Sequence, residues 1–459
     1  MTVSGGPAVA TSFRDGAATA LPRTADATTI LAFYVVLQFL MPSKLVLNGL
    51  PLSLSAASLV ALGLGALWIC TQMTDTLGAA KGRNPVRTML FAYACVLLAS
   101  YANAAFGYLP PDERKIGDHS MVTSMAVVFM ALAICDGVRS RDRLYFLLRV
   151  IVLCGAGVAL VGILQYLFGF DLTPHLRPPG THFTAVDPAT LGRDGLNRAT
   201  GTTAHPIEFG VFCSMVLPLA LHVALRALHR GERSLVWWVC VGTVSGGVMF
   251  SVSRSAIVGL VAAGLVLFIG WPPGRRARMA IAALGGLVMT HFLAPGLIGT
   301  FLGLFQNAGN DDSIRWRTHD YATAQQLISR HPWLGRGTGT WYAPKHEVFD
   351  NQYLLTLVDS GVLGLAAVVG IFIAAVYAVL SVRSLSRLQH AVTDGTDRDL
   401  ALSLMAAVVV VFPTFATFDF MAFPTVTGLA FLVAGMSGAL LRVKRAEVAG
   451  EPVDPFALV

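Results

Sequence analysis

Long apolar runs separated by short polar breaks fill most of the chain. They lie near 28–47, 54–73, 88–107, 119–135, 144–168, 206–226, 235–250, 255–271, 279–298, 351–381, 399–418 and 422–441. Each is mostly Leu, Ala, Val, Gly and Phe over a length too great for a sheet strand. A backbone facing lipid must close its hydrogen bonds within the segment, so each run predicts a helix. The alternating segments of about ten residues that would mark a membrane barrel are absent.

Composition moves this picture into the bilayer. Of 459 residues, 55% are hydrophobic and 13% charged, against roughly 25% charged in an ordinary soluble domain. The mean hydropathy is +0.65, which excludes a disordered chain and a disulfide-stapled miniprotein. At about 20 residues per crossing, about twelve spans use roughly 240 residues. The expectation is an all-α, polytopic integral membrane protein of about twelve transmembrane helices. Residues 28–441 form one membrane domain, with a disordered cytoplasmic tail at 1–27 and a second cytoplasmic tail at 442–459. The first run starts too far in for a signal peptide and lacks a small-residue cleavage site.

Charge supplies the orientation. Lys81, Arg83 and Arg87, then Arg139, Arg141 and Arg143, Arg226, Arg230 and Arg233, Arg275, Arg276 and Arg278, Arg383, Arg387 and Arg398, and Arg442, Lys444 and Arg445 fall in or beside every second connection. The positive-inside rule makes those connections, and both termini, cytoplasmic. The formal charge of +7 is thereby explained by topology and requires no nucleic acid. Cys70, Cys95, Cys135, Cys154, Cys213 and Cys240 all lie in apolar runs with no metal-ligand spacing, which reads as core filling.

On the opposite face two connections are long, about 169–205 and about 299–350, the latter a large extracytoplasmic region between the ninth and tenth helices. They hold Arg177, Arg193, Arg198, Asp311, Asp312, Arg315, Arg317, Asp320, Arg330, Arg336, Lys345, His346, Glu347 and Asp350. Arginines outside oppose the topological bias, so either they are solvated loop charges or they bind an anionic substrate. Arg254, in the barely polar break Ser251-Val252-Ser253-Arg254-Ser255, either snorkels to headgroups or serves a function. Asp359, about two turns into the tenth run, and Arg149, near the inner end of the fifth, are the other ionisable groups at helical depth.

Four stretches, in order, resemble the O-antigen ligase and polysaccharide polymerase superfamily of bacterial envelope glycosyltransferases. Arg198-Ala-Thr-Gly201-Thr-Thr-Ala-His205-Pro206 looks like its Arg-x-x-Gly-x-x-x-His/Asn-Pro pattern, and Ser253-Arg254-Ser255 like its Ser-Arg-Ser turn. Arg317, Tyr321 and His331-Pro332-Trp333-Leu334-Gly335-x-Gly337 resemble its Arg-x-x-x-aromatic segment ending in Pro-x-x-Gly-x-Gly. Asp350-Asn351-Gln352-Tyr353-Leu354 resembles its Asn-x-Tyr-Leu helix start.

The resemblance implies transfer of a glycan from an undecaprenyl-diphosphate-linked donor to a glycan or lipid acceptor. It places this at the outer face of the bacterial inner membrane, with no metal or other cofactor and with polysaccharide assembly proteins as possible partners. Arg198, Arg254 and Arg317 become the expected diphosphate clamp, with Arg315 the substitute if the register slips, and His205, Asn351 and Tyr353 join the substrate-binding set. Where the ligases carry a histidine, the proposed base, this chain has Asp350, an Asp-Asn form closer to the polymerases. Asp350 is either that base or the N-cap of the helix that follows; His346 is the second candidate. Phe183, Trp316, Trp333, Trp341, Tyr342 and Tyr353 either stack on sugars or sit as interfacial aromatics. A polymerase for exopolysaccharide or O-antigen is the leading expectation and an O-antigen ligase the alternative. From another class, a twelve-helix transporter or lipid-glycan flippase would show repeated halves, which the sequence does not.

Overall fold

The computed structural model describes residues 26–73, 83–107, 109–184, 190–193, 196–293, 299, 312–342, 345–347, 349–388 and 396–450, with the backbone alone at 190–193, 196–197, 289–290, 293 and 312–320. Every predicted apolar run coincides with a helix. In chain order these are α1 (Ala27–Leu40), α2 (Ala56–Met73), α3 (Pro85–Phe106), α4 (Pro111–Gly137), α5 (Arg141–Phe168), α6 (Pro206–His229), α7 (Leu235–Phe250), α8 (Arg254–Gly270) and α9 (Pro273–Leu293). After α10 (Asp312–Arg330) come α11 (Gln352–Leu388), α12 (Thr396–Val409) with its short continuation α13 (Val411–Phe415), and α14 (Pro424–Ala449).

Local sequence explains where these helices start and stop. Asn84 accepts from the Val86 and Arg87 N–H groups at the head of α3, and Pro85 fills the first helical position. Gly169 closes α5 in the left-handed conformation.

Among the described residues, eight helices, α2 to α6, α11, α12 with α13, and α14, are long and apolar enough to cross a membrane; α1, α7 and α8 are apolar but shorter. In α9, Arg275, Arg276 and Arg278 occupy the first turns. The central post is α14, with 94% of its most apolar window buried, whereas only 22% of that of α2 is covered. Outward-facing Leu67, Ile69, Val239, Val261, Leu265 and Phe268 are apolar surface of the kind lipid covers.

The alternate basic connections meet at one end of the bundle. Arg87 pairs with Asp136 (3.1 Å), Arg141 with Asp397 (2.7 Å) and Glu447 (2.5 Å), and Arg275 with Asp399 (2.8 Å). These join the heads of α3, α5, α9 and α12 to the tails of α4 and α14.

The region 299–350, expected as a loop, contains α10. Its Ala324, Leu327 and Ile328 share one helical face and pack with Phe349, Val358, Leu354 and Leu355, which is the spacing that converts a polar stretch into a docked amphipathic helix. Two small antiparallel pairs organise the other long connection. Leu45–Leu47 (β1) pairs with Thr181–Phe183 (β2), and Thr190–Arg193 (β3) with Leu196–Ala199 (β4). Residues 1–25, the expected first tail, lie outside the described residues.

Candidate functional site

The segment after β4 is folded by backbone bonds to one buried amide. Gln165 Oε1 accepts from the N–H groups of Thr200 (3.1 Å) and Gly201 (2.7 Å), and Gln165 Nε2 donates to the Gly201 carbonyl (3.1 Å). Gly201 has φ +60°, and a Cβ there would lie 2.8 Å from the Val158 carbonyl oxygen, so both conformation and space require glycine. His205 is the N-cap of α6, its Nδ1 accepting from the Ile207 N–H (3.2 Å), and Pro206 takes the first helical position. This histidine, expected at the substrate, is engaged as a helix cap.

In the first turn of α6 sits Glu208, fully buried. Its Oε2 accepts from the Ala204 N–H (2.8 Å), and its Oε1 from the Thr425 (2.8 Å) and Val426 (3.2 Å) N–H groups at the head of α14. Three N–H donors satisfy the buried carboxylate and lock two motif-bearing elements together.

The Ser-Arg-Ser turn packs against the same helix start. Gly210 of α6 leaves the room: a Cβ there would lie 2.4 Å from Ser251 Oγ. Val252 has φ +44°, and among the described residues it alone of the non-glycines is positive. A β-branched residue so placed stores about 1–3 kcal/mol of strain. Arg198 Nε donates to the Ser251 carbonyl (3.2 Å), so the guanidinium of the first motif is bonded to the turn that carries Arg254. Ser253 precedes α8 without a capping bond, and its buried Oγ has no partner among the described residues. A positive helix terminus, Arg254 and Arg198 therefore converge on one turn, an arrangement suited to an anion. The side chains of Arg315 and Arg317 lie outside the described residues.

The Pro-x-x-Gly-x-Gly segment has an architectural function. Helix α11 breaks at Gly361 (φ +67°, ψ −168°), and the segment pairs with the break. Arg336 N–H donates to the Val358 carbonyl (2.8 Å), Gly337 N–H to that of Asp359 (2.9 Å), and Val362 N–H to that of Pro332 (2.9 Å). The approach is reciprocal: a Cβ on Gly335 would lie 2.4 Å from the Asp359 backbone, and one on Gly361 2.4 Å from that of Trp333. Part-buried Asp359 accepts through Oδ2 from the Gly339 N–H (3.0 Å), so this ionisable group at helical depth anchors the same loop.

At the head of α11 the capping bonds belong to Asn351, whose Oδ1 accepts from the N–H groups of Tyr353 (2.9 Å) and Leu354 (3.3 Å). The capping alternative for Asp350 is thereby taken by its neighbour. Gln352 Oε1 accepts from the Met421 N–H (2.7 Å), and the Tyr353 hydroxyl donates to the Phe412 carbonyl (2.8 Å). These bonds bring Asp350 beside the connection between α13 and α14, where Asp419 lies. Burial, then the negative charges of Asp350 and Glu208, push the Asp419 carboxyl up from 3.8 to about 7. Neither Asp419 nor Glu208 was among the residues singled out from sequence; the available signals were a lone acid in the gap between two apolar runs for Asp419 and a lone acid within a run for Glu208.

His346 belongs to a separate ionic knot. Its Nε2 lies 3.1 Å from Glu113 Oε1 and 3.3 Å from Arg336 Nη1, and its ring stacks on Trp341 at 4.2 Å. Glu113 also takes Arg336 (2.6 Å) and Lys345 (3.0 Å), and Asp112 takes Lys345 (2.7 Å). The knot ties the segment before α11 to the head of α4. Among the other arginines of the long connections, Arg177 donates to the Thr181 carbonyl (3.0 Å), a loop-structuring bond; at helical depth in α5, Arg149 pairs with Glu232 (2.9 Å). All six cysteines are free, four of them buried.

The fold and this site define a polytopic membrane protein whose arginine- and carboxylate-bearing turns are bonded together at one end of its helices. A family model described as O-antigen ligase matches residues 239–369. That stretch runs from α7 into α11 and holds the Ser-Arg-Ser turn, Arg317, the Pro-x-x-Gly-x-Gly segment and Asp350 to Tyr353, while Arg198 to Pro206 precede it. The match supports the resemblance to the O-antigen ligase and polysaccharide polymerase superfamily over that stretch. A comparison with curated proteins finds no match.

Proposed function

We propose that the chain transfers glycan from an undecaprenyl-diphosphate-linked donor at the outer face of the inner membrane, as a polysaccharide polymerase. In this reading twelve helices cross the bilayer, both termini are cytoplasmic, and the α9–α11 connection and the 169–205 connection cover the working face. The observation that carries it is the bond from Arg198 to the Ser251 carbonyl, which couples the first motif to the Arg254 turn. Glu208, at the start of the adjoining α6, links the same region to Asp419 and Asp350.

The chemistry follows from that placement. The acceptor hydroxyl oxygen attacks the anomeric carbon of the donor sugar, and the bond from that carbon to the phosphate oxygen breaks. The diphosphate leaves with its charge held by Arg198, Arg254 and Arg317, whose forks match phosphate oxygens. The hydroxyl proton passes to the Asp350 carboxylate, beside which Asp419, its carboxyl pushed up to about 7 by burial and the neighbouring charges, stands as a second acceptor. Asn351 and Tyr353 set the height of Asp350 at the helix head, and His346 holds the outer segment in place.

Purified protein in nanodiscs, given the lipid-linked repeat unit, should elongate it without an ion gradient. Folded protein that makes no product, but moves the lipid-linked glycan across a bilayer, would replace this reading with a flippase. In a deletion strain, loss of long chains with single repeats remaining supports polymerase; long chains accumulating on the carrier support ligase.

A further inference from the structure

The opposite end of α6 borders a cavity that the transfer chemistry does not use. Helix α6 is 24 residues long, so at about 1.5 Å per residue its tail lies roughly 30 Å from Glu208 in its first turn. There Arg226, Arg230, Arg275, His222 and His229 line a recess of about 340 Å³ with Asp399 as its acidic member. That volume falls within the range of roughly 300–1,000 Å³ typical of small-ligand sites.

Topology accounts for basic residues at this end of the bundle, but not for how these are held. Arg226 Cζ sits 3.6 Å over the Tyr145 ring, and the Tyr145 hydroxyl lies 3.3 Å from Nε2 of buried His222. A solvated topological charge has no need of such a platform. Arg226 Nε is buried with no partner among the described residues, a costly state for a guanidinium donor unless something completes it. Arg275 and Thr396, which reach the recess, stand in the first turns of α9 and α12, so two positive helix ends add to the arginines. Asp399 is already paired with Arg275 at 2.8 Å, and the excess of cation over anion is left facing the cavity.

We infer that this recess is a binding site for a phosphate or diphosphate group, carried either by an anionic lipid headgroup of the adjoining leaflet or by a soluble phosphate ester. Arg226 is the fork held ready by Tyr145, with Arg230 one turn on at the end of the same helix and Arg275 closing on the anion from α9. The inference is independent of the transfer reaction, and its test reads binding alone.

Full-length protein is placed in phosphatidylcholine nanodiscs and titrated with inorganic pyrophosphate by calorimetry. In a parallel arm, nanodiscs of phosphatidylcholine and phosphatidylglycerol are used, and retained phosphatidylglycerol is counted by native mass spectrometry. Arg226→Gln removes the fork. His229→Glu places a negative charge at an exposed position of the rim, where folding is least at risk, and Arg254→Gln controls for the distant turn. For a soluble ligand, pyrophosphate binds the wild type, its Kd rises at least tenfold in both recess variants, and Arg254→Gln leaves that binding in place. For a headgroup, phosphatidylglycerol retained by the wild type is lost in both recess variants. The inference is overturned if neither probe binds the wild type, or if the two recess variants bind both probes as the wild type does.

Discussion

Replacing Asp419 by asparagine should make the protein more stable at alkaline pH while abolishing most of its transfer activity. The carboxyl titrates near 7 in the folded chain because burial and two neighbouring carboxylates oppose its charge; in the unfolded chain it returns to about 3.9. Between those values the folded state binds the extra proton, so stability falls as pH rises through that window and the penalty is complete above about 7. A rise from 3.8 to about 7, at about 1.36 kcal/mol per pH unit, sets a ceiling of about 4 kcal/mol. Water reaching the half-buried side chain lowers this, and about 2 kcal/mol is the expected cost at pH 8.5. Asp419→Asn keeps the shape and removes the charge. The assay is apparent thermal unfolding in nanodiscs at pH 5.5 and pH 8.5, at one scan rate because unfolding of a membrane protein is a kinetic measurement. Wild type should lose stability between the two pH values, and the variant should lose less by on the order of 2–4 °C. Parallel pH responses of the two proteins would show that Asp419 carries no such penalty and would remove it from the proton-accepting pair.

Four further outcomes are expected. Arg254→Lys keeps the charge but not the fork, and transfer should fall on the order of tenfold to a hundredfold with expression unchanged; near-normal turnover would make the residue a topological charge. Because Asn351 supplies the cap, Asp350→Asn, which keeps the shape and an accepting oxygen, should cost less stability than the about 1 kcal/mol expected of Asn351→Ala, yet lower the rate by about two to four orders of magnitude; full activity in Asp350→Asn would exclude it as base. Gly361→Ala should destabilise the protein by about 3 kcal/mol or more, from a glycine-only backbone conformation and the lost pairing with Pro332 to Gly337, and an unchanged unfolding curve would contradict the observed approach. Cysteines introduced at Ala185 and Gln325 should react with a membrane-impermeant thiol reagent in spheroplasts and one at Ala277 should not; the reverse pattern would invert the proposed orientation.

Hydropathy made the helices legible because each membrane helix satisfies its own backbone and announces itself by composition alone. The same property hid α10, whose alternation of polar and apolar positions reads as a loop until Ala324, Leu327 and Ile328 find Phe349. Arg198, Arg254 and the Asp350-Asn351 pair were visible as motifs, and the structure bonds the first two segments through Ser251. What Asp350 shares its surroundings with was not visible. Glu208 meets the head of α14 across 217 residues of sequence, and Asp419 acquires its character only from that packing. Capping was ambiguous for a local reason: Asp350 and Asn351 are adjacent and both are good N-caps, so one residue of register decided which of them caps the helix.

The buried carboxylate of Glu208 also imposes an order on biogenesis. Two of its three N–H donors, Thr425 and Val426, open the last helix. Until that helix is inserted, α6 holds a charged group with most of its partners missing, and the turn that carries Arg198 is fastened on one side only. At synthesis rates of about 5–20 residues per second, the 217 residues between Glu208 and Thr425 amount to roughly 10–40 s during which the Glu208 carboxyl lacks two of its three N–H donors. In the proposed reading, transfer waits until Thr425 and Val426 have met Glu208, so the site is completed by its most distant part.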